Sequence, residues 1–162
     1  VTDAASIQAL QQQEDVLIFP GFDEATAHDV GTALRATASA NKSPVVIEIR
    51  TASRRLFFTA LPGSSPDNED WARRKGNVSL RCHASSMRVG LMLQSKGRSP
   101  WPDAALDTKD YAVHGGAVPV RVEGTGVVAV IAVSGLPSRE DHDLIVRVMA
   151  DYLGVQVITP TP

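Results

Sequence analysis

Cysteine is almost absent. Cys82 stands alone, so no internal disulfide can staple the fold, and the reducing cytoplasm is the expected compartment. Aromatic residues are also scarce, at 5% of the chain, with Trp71 and Trp101 the two tryptophans. The longest apolar run, residues 127–133, falls far short of the roughly 18 residues a membrane helix requires. Residues 1–15 carry Asp3, Glu14 and Asp15 with no basic segment leading into an apolar stretch, so neither a secretory signal nor a membrane association is expected. An excess of either charge is missing too, with 16 basic residues against 18 acidic ones. A formal charge of −2 gives no electrostatic reason to expect nucleic acid, and the basic clusters Arg54-Arg55 and Arg73-Arg74-Lys75 read as solvated surface.

With 43% hydrophobic and 21% charged residues the chain is composed to collapse, and 162 residues suit one domain, with a core over about 15–153. Ile7 and Leu10 predict a short polar helix over 6–14. Asp23 is a plausible N-cap for a helix over 24–40, with Ala27, Val30, Leu34 and Ala38 on one face. Residues 45–49 and 56–61 predict two strands of an antiparallel hairpin. Asp67 or Asn68 can cap the next helix, with acids in its first turn and Arg73, Arg74 and Lys75 after them, and Gly76-Asn77 weakens it midway. Val89, Leu91 and Leu93 suggest a strand over 87–93. Residues 95–110 form a long irregular stretch, 117–122 and 127–133 are strands, and a last helix runs from Ser138 to about Leu153 with Ser138 and Asp141 as a capping pair. A frayed end is expected over 159–162. Hairpins joined by single helices imply an α+β domain with a mostly antiparallel sheet.

General motifs for a reaction are missing. Gly124-Thr125-Gly126 matches part of a dinucleotide fingerprint, but a β-prone run follows where a helix must open, so the glycines read as a hairpin turn. No Gly-x-Ser-x-Gly elbow occurs. His28, His83, His114, His142 and Cys82 lack the paired short spacing of a metal site, and the acids of Asp141-His142-Asp143 read as dipole partners in a first helical turn, so no metal is expected. His114-Gly115-Gly116 places an imidazole at the mouth of a strand beside two residues that allow close approach. That histidine either satisfies buried backbone groups or serves as a haem ligand or proton carrier. Trp71 shares a helix face with Lys75 and Val78 and reads as a core or interface anchor, while Arg74 and Lys75 read as solvated.

Leu56-Phe57 with Ala60-Leu61-Pro62-Gly63, the Asp67-Asn68, Trp71, Arg74-Lys75 pattern, Ser85-Ser86 with Gly90, Tyr111-Ala112 with His114-Gly115-Gly116, and Ser134-Gly135-Leu136-Pro137 with Asp141-His142 form five ordered islands. Together they resemble the haem-degrading-domain family, in the branch related to HbpS-like and GlcG-like proteins. Gly76-Asn77 and Cys82-His83-Ala84 depart from that branch's pattern. The resemblance implies a profilin-like domain of about five mostly antiparallel strands, assembled as a homo-oligomer. It also implies noncovalent binding or processing of haem or another small molecule, with no assigned reaction. The implied ligand-binding residues are His114, Gly115, Gly116, Asp67, Asn68, Trp71, Arg74, Lys75, Ser134 and His142. The alternative is a nonenzymatic homo-oligomeric scaffold or partner-binding protein, using residues 95–110 and Trp101 as an interface.

Overall fold

The computed structural model describes residues 2–159, so the expectation of a frayed end lies, apart from Thr159, outside the described residues. The elements are α1 (Thr2–Val16), β1 (Ile18–Phe19), α2 (Glu24–Ala40), β2 (Val46–Arg50), β3 (Arg55–Ala60), α3 (Pro66–Cys82), α4 (Ser86–Ser95), β4 (Ala117–Val122), β5 (Gly126–Ser134) and α5 (Ser138–Leu153). They build an α+β domain on one five-stranded sheet of order β1-β4-β5-β2-β3. All neighbours are antiparallel except β1 and β4.

Alternation along the central strands sorts side chains to two faces. Ile47, Ile49, Ile131 and Val133 point to the larger core, where they meet Ala27, Val30 and Leu34 of α2 and Leu144, Ile145 and Met149 of α5. Each fully buried branched side chain there contributes about 1.5–3 kcal/mol relative to exposure. On the opposite face Val46, Ala117, Val130 and Ala132 receive Ala72 of α3. Three alanines in that layer let the helix backbone lie close to the sheet, which leaves the larger residues of α3 to project along its two flanks.

The hairpins β2–β3 and β4–β5 form as the alternation predicts, with Glu123-Gly124-Thr125 as the second turn. Several elements differ from expectation, and the two-residue strand β1 was not expected at all. Residues 87–93 lie in a helix, α4, because Ser85 caps it by accepting from the Arg88 N–H at 3.2 Å and because Ser86, Val89 and Leu93 bury one side at steps of three and four. Val89, Leu91 and Leu93 also fit strand alternation, and over seven residues that pattern cannot separate the two periods. The polar helix α1 is longer than expected and docks through charge: Glu14, buried, accepts from the Ser85 N–H at 2.9 Å and from two nitrogens of Arg88 at 2.9 and 2.8 Å.

α3 does not begin or weaken where the sequence suggests. Its N-cap is Ser65, and Asn68 instead supplies the reciprocal half of a capping box, its Oδ1 accepting from the Ser65 N–H at 2.9 Å. The helix runs unbroken through Gly76-Asn77 to Cys82, and His83 ends it in a left-handed conformation. Arg50 explains the Gly-Asn pair. Its Nη2 donates to Asn77 Oδ1 at 2.6 Å, and a Cβ at position 76 would stand 3.1 Å from that same nitrogen. The helix thus gives up local propensity to seat a guanidinium from the sheet.

Candidate functional site: a cleft beside the first turns of α3

A cleft of about 410 Å³ runs between α3, the segment before β4 and the bend from β5 into α5. Asp67, Asn68, Trp71, Lys75, His114 and Ser134, all expected as site residues, line it, and Gly135, Leu136, Ser138 and Asp141 complete the wall. Residues 68, 71 and 75 reach it from one flank of α3 because they recur at steps of three and four.

Lys75 and Asp141 form the floor. Lys75 is 3% exposed and Asp141 2%, so Lys75 is not the solvated group that its local sequence suggests, and Asp141 keeps its place in the first turn of α5 but is buried. The Lys75 Nζ donates to Asp141 Oδ2 at 3.1 Å, to the Gly115 carbonyl at 3.1 Å and to the Val133 carbonyl at 2.6 Å, which uses all three of its N–H groups. Asp141 also accepts from the backbone N–H of Leu136 at 3.0 Å and of Gly135 at 3.4 Å. Asp141 therefore braces the bend preceding its own helix, where the sequence suggested a capping pair with Ser138; the N-cap is Pro137, with no side-chain bond. Burial pushes the ammonium of Lys75 below its ordinary value and the carboxyl of Asp141 above its own, and the attraction between the two opposes both shifts.

Gly115 and Gly116, expected as site residues, sit behind this pair and do not line the cleft. Gly116 has φ +125, and a Cβ there would overlap the Lys75 ammonium and the Val133 carbonyl. A Cβ at Gly115 would overlap the Ser138 carbonyl. Their role is to let the strand entrance close over the buried charge.

At the mouth, Trp71 and His114 meet edge to face, with ring centroids 5.2 Å apart at 87°. His114 is exposed, and its ring makes no hydrogen bond to the described residues. Arg74 stands outside the cleft: its guanidinium lies 4.0 Å from the Trp71 ring centroid, held there by Asp70, whose Oδ2 accepts from Arg74 Nε at 2.8 Å. Hydrogen bonds from Arg73 and Arg74 hold the Asp70 carboxyl below its ordinary value.

His142 is not brought to the cleft. It is buried on α5 and faces α1, where its Nε2 lies 3.0 Å from Gln13 Oε1. Gln13 donates its Nε2 to the Ile158 carbonyl at 2.6 Å, so its oxygen is the free acceptor and His142 must carry its proton on Nε2. The other ring nitrogen, Nδ1, is buried without a partner among the described residues. Burial pushes His142 down to about 4.

The family model for haem degrading proteins of the HbpS-like type matches residues 22–150, a span that holds the whole sheet except β1 and every residue of the cleft. The chain belongs to the HbpS-like haem degrading protein family. Within reach of that family, a UPF0303 protein of Mesorhizobium japonicum is 47% identical over 152 residues, covering 94% of this chain and 91% of its own length. The crystal structure of the Ybr137w protein superposes with a TM-score of 0.83 at 31% identity, covering 91% of this chain and 87% of that one. A crystal structure of a complex of PduOC with haem superposes with a TM-score of 0.69 at 16% identity over 87% of this chain and 99% of that one, a likeness of fold. No described helix is long and apolar enough to cross a membrane.

Proposed function

We propose that the chain holds a small molecule in this cleft, with haem bound noncovalently through His114 as the ligand to which its family relation points. One observation carries the reading: an exposed imidazole, unbonded to the described residues, is held edge-on by Trp71 at the mouth of the cleft. A haem iron needs an accessible imidazole nitrogen and apolar surface beside it. His114 meets the first need, and Trp71 and Leu136 the second. Asn68, Ser134 and Ser138 offer polar contacts to the ligand's rim, and the sequence holds no Cys-x-x-Cys-His for covalent attachment. Bound haem would supply redox and dioxygen chemistry. The chain's own part is to orient: Arg74 braces Trp71, Trp71 braces His114, and the Lys75–Asp141 pair fixes the floor. The haem complex of the fold neighbour PduOC supports the same ligand class. Titration of the purified chain with hemin is expected to give a saturable Soret shift that His114→Ala abolishes; identical titrations of the two proteins would remove His114 from the site.

A second reading, a homo-oligomeric scaffold, rests on Trp101, which is 56% exposed in the irregular segment between α4 and β4. Aromatic side chains left in water mark contact surfaces. Light scattering over a dilution series is expected to find an assembly that Trp101→Ser loosens, and a monomer at every concentration would sink this reading. The lone, exposed Cys82 fits a reducing compartment, and we assign the chain to the cytoplasm.

A further inference from the structure

The flank of α3 turned away from the cleft borders a second concavity, a bowl of about 560 Å³ between this helix and the β2–β3 turn. Arg54 and Arg55 reach it from the turn and Arg73 from the helix, so basic residues 18 positions apart in sequence converge on one surface. Arg50 joins them from the end of β2.

The floor is built and the rim is loose. Glu48, 4% exposed, forms an ion pair with Arg50 Nε at 3.2 Å and accepts from Arg55 Nε at 2.8 Å, so a buried carboxylate holds two guanidiniums side by side. Arg50 is locked further by Asn77 Oδ1 at 2.6 Å and the Arg73 carbonyl at 3.3 Å. At the rim, Glu69 pairs with Arg55 at 2.9 Å and Asp70 with Arg73 at 3.0 Å, and these two carboxylates are 46% and 47% exposed. The lining holds four guanidiniums and three carboxylates, and from outside it Glu24 pairs with Arg54 at 2.7 Å and Asp110 with Arg73 at 3.0 Å, so the bowl offers guanidiniums in exchangeable surface pairs and not a net positive field. Pro66 at the start of α3 also lines the bowl, which sets the positive end of the helix dipole beside it.

We propose that this bowl is a binding site for a phosphoryl group. Exposed ion pairs such as Arg55–Glu69 and Arg73–Asp70 contribute little, because water solvates both partners well. A dianionic phosphoryl group offers each guanidinium the planar, two-point contact that it makes best, and carries more charge than the side-chain carboxylate it displaces. Glu69 can swing into solvent, while Glu48 keeps Arg50 and Arg55 in place and Asp70 stays bound to Arg74. A carboxylate ligand would gain only what Glu69 already supplies, so the site discriminates by charge. The volume accommodates free phosphate or the phosphate of a larger ester.

The test is a proton–nitrogen NMR titration of the full chain with inorganic phosphate and, separately, with adenosine monophosphate, at ionic strength held constant with chloride. Saturable shifts of the Arg55 and Arg73 Nε–H signals and of the 51–55 backbone are expected, with affinity at least tenfold lower in Arg55→Gln and in Arg73→Gln. Glu69→Gln, which removes a competitor for Arg55, is expected to bind two- to fivefold more tightly. Unperturbed Trp71 and His114 signals would certify that each variant is folded. Tighter binding of the monophosphate assigns the site to esters, and equal binding assigns it to free phosphate. Shifts that do not saturate, that chloride alone reproduces, or that survive both arginine substitutions would overturn the proposal.

Discussion

On the cleft flank of α3, Lys75 lies beneath the surface and directs its three N–H groups at Asp141 and two carbonyls. On the bowl flank, the side chains of Arg55 and Arg73 are 47% and 43% exposed and share their carboxylates with water. Both flanks carry ion pairs of nearly equal length, yet the physics differs. A buried pair costs desolvation on both partners and tolerates no loss of either; an exposed pair is cheap to make and cheap to exchange. The first kind shapes a site and the second leaves one open to a ligand. Glu48 combines the two, being buried itself while one of its partners, Arg55, remains near the surface.

The largest expected effect breaks the cleft floor. Lys75→Met leaves Asp141 buried without its cation and should lower stability by about 3–5 kcal/mol in urea unfolding. The double variant with Asp141→Asn should recover more than half of that loss; a single-variant cost below about 1 kcal/mol would erase the distinction between the flanks.

Next to Asp141, His142 extends the same dependence to pH. Its folded value of about 4 lies below the ordinary 6.5, so the folded chain refuses a proton that the unfolded chain accepts. The contribution is therefore complete above about pH 6.5 and is lost as pH falls toward 4, amounting to about 3 kcal/mol at 1.36 kcal/mol per unit. Unfolding of the native chain and of His142→Leu, compared at pH 7 and pH 4, should show the native chain losing more by about that amount. Parallel losses would mean that this imidazole is not held neutral.

Within the bowl, Glu48→Gln removes a buried charge that separates Arg50 from Arg55, and should cost about 2 kcal/mol, a hydrogen-bonded charge lost from an enclosed position. Glu69→Gln should change stability by no more than about 0.5 kcal/mol. Equal costs for the two would show that burial does not sort the carboxylates of this flank.

The same contrast explains what could be read from the chain alone. The hairpins, α2 and α5 were legible because their apolar periods run long enough to separate strand from helix, and the cluster around Asp67-Asn68, His114 and Ser134 was legible through family resemblance. α4 was not, because 87–93 satisfies both periods over seven residues and its cap, Ser85, carries no signal until the following helix is assumed. Lys75 and Asp141 were misread for a related reason. On local sequence each is one member of a charged run, and nothing in Arg73-Arg74-Lys75 distinguishes the residue that turns inward. Gly76-Asn77 did carry a signal, as a departure from helix-favouring residues, although its meaning required Arg50 to be seen across from it. His142, adjacent to Asp141 in sequence, diverges from it around the helix and faces α1, so it joins the Gln13 contact and not the cleft.

Taken by itself, the order of residues determined the secondary elements with long periods, the α+β class and the islands that mark the family, since these depend on neighbours within a turn or a strand. Only the tertiary structure decided which charges are buried, which glycines back them, and which distant basic pairs share a surface. Desolvation and charge pairing are set by what lies across the sheet, 40 residues away between Lys75 and Gly115 and 66 between Lys75 and Asp141, and no local pattern encodes a partner at that separation.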